Sequence, residues 1–183
     1  MAKMNRKQLK KYCIDRLHEI EMINYTSHTP SGFVCIAAFI DFLSSLAYNP
    51  QAEIEKSSKR YKDFVKRYLP RYKNYVDDFY HTFRCGIVHA MSFYRGGKKK
   101  CKQLPKVVVT HDLNYKKRTN IEKYNKDGFN AIIIYAFDLC ADIRSAIDMM
   151  FDSTETDNPA YRNCLKYIEK QPPIGALTYK EEQ

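Results

Sequence analysis

No stretch of this 183-residue chain approaches the twenty or so consecutive apolar residues that a membrane span requires, so no membrane partner is expected. The basic segment Met1–Lys11 lacks the apolar core of a secretory leader. It reads instead as the start of a helix, and a cytoplasmic location is expected. Six cysteines, at 13, 35, 85, 101, 140 and 164, include no Cys-x-x-Cys pair. Several fall at helical core spacing, which suits buried thiols in a reducing compartment better than a disulfide framework. Also missing are a strand-loop-helix phosphate cradle, a nucleophile elbow, internal repeats and low-complexity tracts. Nothing in the chain therefore asks for a cofactor, and none is expected. Acidic residues are in short supply: 21 against 31 Lys and Arg, a net charge of +10.

The positive charge is concentrated in residues 3–11, 56–73, 95–106 and 116–126, while residues 127–169 are acidic on balance. Such asymmetry permits one face directed at a polyanion, or a merely solvated basic surface. Apolar content of 44% and the chain length suit one domain with a real core, expected over residues 1–170 with a loose tail at 171–183.

Hydrophobic spacing predicts a mainly α bundle of four to six helices. The first spans about residues 5–24, with Leu9, Tyr12, Cys13, Leu17 and Ile20 on one side. A turn cluster at 25–32 precedes a second helix, about 32–48, apolar nearly all round and so central. Its one charge, Asp41, needs a partner or a solvent window; it either orients Arg84 or points to water past Ser44 and Ser45. A third helix is read over Gln51–Leu69 and a fourth over 71–94, opened by Pro70. Residues 105–123 break the pattern. Val107, Val108 and Val109 are β-branched, and a second strand at 118–122 would make a small inserted β-hairpin. A fifth helix is predicted from 127–130 to about 153, with Asp138, Asp142 and Asp148 read as solvation on its outer face. A short last helix is read from Asn158–Pro159 to Lys170.

Bases interleave with aromatics from Lys59 to Lys73, as in single-stranded nucleic acid sites, where cations meet phosphates and rings stack on bases. Arg60, Lys66, Arg67, Arg71 and Lys73, with Lys98, Lys99 and Lys100 in the Gly96-Gly97 loop, are the candidate nucleic-acid contacts. Tyr61, Phe64, Val65 and Tyr68 equally form an ordinary core stripe.

The sharpest feature is the run Phe83-Arg84-Cys85-Gly86-Ile87-Val88-His89. An arginine fork beside an imidazole that titrates near neutrality suits phosphate chemistry. In an α-helix His81, Cys85 and His89 would share one stripe, drifting about 40° per step. The same three residues could bind zinc, although no fourth ligand is evident and no metal is expected. Gly86, which costs a helix interior roughly 1 kcal/mol, suggests close approach of another backbone or of a ligand.

This run resembles the Arg-x4-6-His signature of HEPN domains, all-helical modules that include RNA-cleaving toxins and defence proteins, and the likeness covers roughly residues 5–152. Cys85 stands where active members usually carry Asn, Asp or His, and Met91 where one toxin subgroup carries tyrosine. The resemblance implies a HEPN-like homodimer whose two motif helices share a cleft. It also implies a metal-independent RNA endonuclease with Arg84 and His89 catalytic, Cys85, Asp41 and His81 supporting, and an antitoxin partner. The alternatives are a non-catalytic module that binds RNA or a nucleotide, and a dimerising scaffold.

Overall fold

The computed structural model describes residues 5–27, 30–48, 57–87, 106–110, 121–126 and 129–152. His89, Met91, the basic loop Lys98–Lys100, the last helix read over 158–170 and the tail at 171–183 lie outside them.

Helix α1, Arg6–Ser27, begins in a reciprocal cap: the Gln8 amide donates to Asn5 Oδ1 at 2.9 Å, and the Asn5 amide to Gln8 Oε1 at 2.8 Å. Leu9, Tyr12, Cys13, Leu17 and Ile20 recur every three or four residues and are buried. Helix α2, Pro30–Ala47, starts on a proline whose missing N–H costs nothing at a first turn. It is buried through Phe33, Ile36, Ala37, Phe39, Ile40, Leu43, Leu46 and Ala47, and meets α1, α3 and the later helical elements. Between α1 and α2, buried Asn24 donates from Nδ2 to the carbonyls of Ile20 at 2.8 Å and Gly32 at 3.3 Å.

Helix α3, Ser57–Tyr68, buries Tyr61, Phe64, Val65 and Tyr68. The chain reverses at Leu69 and returns along α3 as a 3₁₀ turn, Pro70–Tyr75, then α4, Val76–Asp78, then a π-helical segment, Phe79–Ile87. Lys62 Nζ lies 2.6 Å from Asp77, and the Tyr61 and Tyr80 rings are 5.7 Å apart, so the two limbs are antiparallel. The single helix expected from residue 71 thus has three pitches. π-helical hydrogen bonds skip five residues rather than four, which moves side chains off an α-helical stripe. Cys85 is buried while His81 is partly exposed, so these two do not share one environment.

The mainly helical class holds, with the β elements arranged differently. Strands β1, Lys106–Thr110, β2, Ile121–Lys126, and β3, Phe129–Tyr135, form one sheet in the order β1-β3-β2. The two expected strands do not pair with each other. β1 runs parallel to β3, with Val109 opposite Ile134, and β2 runs antiparallel to β3, with Tyr124 opposite Ala131. The predicted start of the fifth helix is therefore strand. Ile132, Ile133 and Ile134 are β-branched and buried, as a strand covered on both faces demands. Helix α5 follows directly, Ala136–Asp152.

α5 runs antiparallel to α1. Lys10 Nζ reaches Asp148 at 2.8 Å and Asp152 at 2.7 Å, and Arg144 reaches Glu21 at 2.8 Å. Asp142 Oδ2 accepts from Arg71 Nη1 at 2.8 Å and the Tyr72 hydroxyl at 2.6 Å. Asp142 and Asp148 are thus crosslinks between elements, not the solvation read from their place on the outer face. Val109, Ile132 and Ile134 join the helices in one core.

A Cβ at Gly32 would come within 2.4 Å of Asn24 Oδ1. Gly32→Ala should therefore lower stability by about 1–3 kcal/mol despite the roughly 1 kcal/mol gain in helix propensity. In urea unfolding, Asn24→Ala combined with Gly32→Ala should cost less than the sum of the two single changes.

Candidate functional site

The motif arginine sits in the π segment directly after Phe83 and about one turn after Phe79; these two rings are fully buried, their centroids 5.7 Å apart, and fix the segment to the core. With those rings turned inward, Arg84 faces α2. Its Nη2 donates to Asp41 Oδ2 at 2.7 Å. The hydroxyls of Ser44 and Ser45 both donate to the Asp41 backbone carbonyl, at 2.7 and 3.0 Å, leaving the carboxylate to the arginine. The Arg84 side chain is 17% exposed and that of Asp41 30%. Burial works against the guanidinium charge, but the hydrogen bond and charge of Asp41 outweigh it and hold Arg84 firmly protonated.

Aromatic rings close the other sides. The Arg84 guanidinium lies 5.8 Å from the centroid of Tyr80, and Lys62 Nζ lies 5.4 Å from the same ring. Tyr61 is fully buried beside this group, and its hydroxyl has no hydrogen-bond partner among the described residues. Burial, then the nearby Asp41 charge, push its phenol well above the ordinary value. Cys85 Sγ is a weak acceptor 3.9 Å from Arg84 Nη1. The arrangement presents a cation that is fixed in position, partly open to solvent and half neutralised by a carboxylate. Such a fork can hold an anionic oxygen only by sharing its donors with Asp41.

Of the residues selected from sequence, the structure brings Arg84, Asp41 and Cys85 together. His81 lies against the Tyr80 ring at 5.1 Å, and its charge acts on Asp77. Lys66, Arg67 and Lys73 are exposed and Arg60 is partly buried, whereas Arg71 is committed to Asp142. Among the described residues, no three His, Cys, Asp or Glu side chains converge as a metal site. Sequence reasoning missed Tyr80, four residues before Arg84 and on its side of the helix, and the Lys62–Asp77 pair. The spacing of Tyr80 was a usable signal; the pairing of Lys62 with Asp77 across a turn had none.

Just ahead of the π segment, Asp78 is 7% exposed, and burial, then the Asp77 charge, push its carboxyl up to about 6. The folded chain therefore holds this proton more tightly than the unfolded chain. The group costs the folded state stability above pH 6, and the cost fades as pH falls toward 4. Asp78→Asn should stabilise the protein by about 1–3 kcal/mol at pH 7 and little at pH 4, read from urea midpoints across that range. Asp41→Ala should cost about 1–2 kcal/mol, between the values for exposed and buried pairs. A double-mutant cycle of Asp41→Ala with Arg84→Ala should return a coupling of about 1 kcal/mol that shrinks only slightly with salt. Comparison with protein-family models, with curated proteins and with solved structures finds no match to this chain.

Proposed function

We propose that this chain is a metal-independent RNA endonuclease of the HEPN type. In this reading His89 removes the proton of the RNA 2′-hydroxyl and Arg84 holds the equatorial oxygens of the phosphorane, leaving a 2′,3′-cyclic phosphate. RNA supplies its own nucleophile, so the protein need only provide a base and a placed cation. The observation that carries the reading is the placement of Arg84. Its side chain is locked by Asp41 at 2.7 Å and by the Tyr80 ring, at a break in helical pitch, which is where functional side chains are frequently found. The proposal extends to a cytoplasmic homodimer whose two motif segments share one cleft, acting as a toxin or defence protein held in check by an antitoxin. Among the described residues, no helix is long and apolar enough to cross a membrane.

One observation favours a second reading. The Asp41 carboxylate already takes much of the Arg84 charge, as suits a module that binds RNA or a nucleotide without cutting it. Both readings are tested by incubating RNA with the protein in EDTA. The nuclease reading requires cleavage with a cyclic phosphate end, reduced about 10²–10⁴-fold in His89→Ala and about 10²–10³-fold in Arg84→Ala. Binding without cleavage in the unaltered protein selects the second reading.

A further inference from the structure

Among the described residues, many charges are paired internally. α1 and α5 neutralise each other through Lys10, Asp148, Asp152, Glu21 and Arg144, and α1 carries its own Lys11–Asp15 and Arg16–Glu19 pairs. The limb from Ser57 to Tyr75 is different. It holds seven bases and one acid, Asp63. Lys62 is taken by Asp77 and Arg71 by Asp142. Lys59, Lys66 and Lys73 are exposed and make no ion pair among the described residues. Arg67 is also exposed; its guanidinium lies 5.3 Å from the Tyr68 ring and hydrogen-bonds the Tyr48 hydroxyl, both neutral neighbours, and it makes no ion pair among the described residues. Lys59 and Lys66 are seven residues apart on α3, about 10.5 Å along its axis, and so project from one face.

The rings on this limb are turned to the core. Tyr61, Phe64, Tyr68 and Tyr72 are buried and Tyr75 is partly buried against the same core, while on the neighbouring π segment the partly exposed ring of Tyr80 is covered by the cations of Lys62 and Arg84. A basic face aimed at an anionic membrane carries exposed apolar side chains among its cations. Here the exposed large apolar residues of the described chain are Met22, Ile23, Tyr25 and Met149, on α1 and α5, and α3 has none.

We infer that the solvent face of α3 and the following 3₁₀ turn is a docking surface for the sugar-phosphate backbone of nucleic acid, in which Lys59, Lys66, Arg67 and Lys73 contact phosphates and no base is stacked or read. This surface takes the backbone by charge and shape alone, so it accepts single strands, duplexes and strands without bases at comparable affinity. It departs from the stacking site that the interleaved tyrosines suggest in sequence, because folding turns those rings inward. The inference relies on the RNA reading above only for nucleic acid as the partner.

The experiment measures binding of the full chain across a salt series to single-stranded RNA, duplex RNA and an abasic deoxyribose phosphate oligomer of equal length. Anionic lipid vesicles serve as a further arm. The abasic oligomer should bind within about threefold of the single-stranded RNA, because phosphates supply the contacts. Lys59→Ala, Lys66→Ala and Lys73→Ala together should weaken binding about tenfold or more at low salt and flatten the logarithmic salt slope by about 2–3, with the far-ultraviolet circular dichroism unchanged. Loss of more than about tenfold on removing the bases would show base stacking and overturn the inference. Unchanged binding by the triple variant, or binding to vesicles but not to nucleic acid, would overturn it as well. Backbone binding without RNA cleavage leaves this surface standing and removes the nuclease reading; cleavage with base-dependent binding does the reverse.

Discussion

Everything in this fold follows from the need to cover α2. A helix apolar on nearly every side cannot lie on a surface, so α1, α3, α5 and the π segment close around it, and the sheet fills the same core through Val109, Ile132 and Ile134. Asp41 is the exception on that helix. A carboxylate at the margin of an apolar core must be solvated or paired, and the π segment supplies a guanidinium at 2.7 Å. The position of the motif arginine is therefore tied to the most deeply packed element of the molecule.

That coupling gives the candidate site its character. A surface arginine samples many rotamers and loses that freedom on meeting a ligand, whereas Arg84 is already ordered by a carboxylate below and an aromatic ring beside it. The same carboxylate offsets the guanidinium charge, so the arginine is fixed in position at some expense of its attraction for any anion. Exposed cations that make no ion pair among the described residues lie elsewhere, at Lys59, Lys66, Arg67 and Lys73 along α3 and the 3₁₀ turn. The exposed bases of α3 and the fixed arginine of the π segment lie on two limbs of one helical hairpin, which the Lys62–Asp77 pair helps hold together.

The misread elements show where local pattern fails. From Ile132 onward, Ile132, Ile133, Ala136, Phe137 and Cys140 follow helical spacing, yet the first two lie in a strand. Short apolar runs satisfy both periods, and the β-branched isoleucines settle into strand only because β1 and β2 are present to bond on either side. In the sequence, Asp127-Gly128 before that run was a legible hairpin signal, and the strands on either side of it, β2 and β3, are the antiparallel pair. Within the motif, His81 and Cys85 fall at i and i+4, yet Cys85 is buried and His81 partly exposed, a difference that spacing alone does not record.

Local chemistry in the chain determined that α1, α2 and α3 are helices, which of their faces are buried, where Pro30 and Pro70 start new turns, and that positive charge gathers between Lys59 and Lys73. Those properties depend on neighbours a few residues away, which a linear pattern records. Tertiary structure decided that Asp41 meets Arg84 from 43 residues away, and that Asp142 binds Arg71 and Tyr72 from about 70 away. It also decided that the tyrosines of α3 face inward. Such pairings form only when packing brings distant segments within a few ångströms, and burial then makes the pairing obligatory.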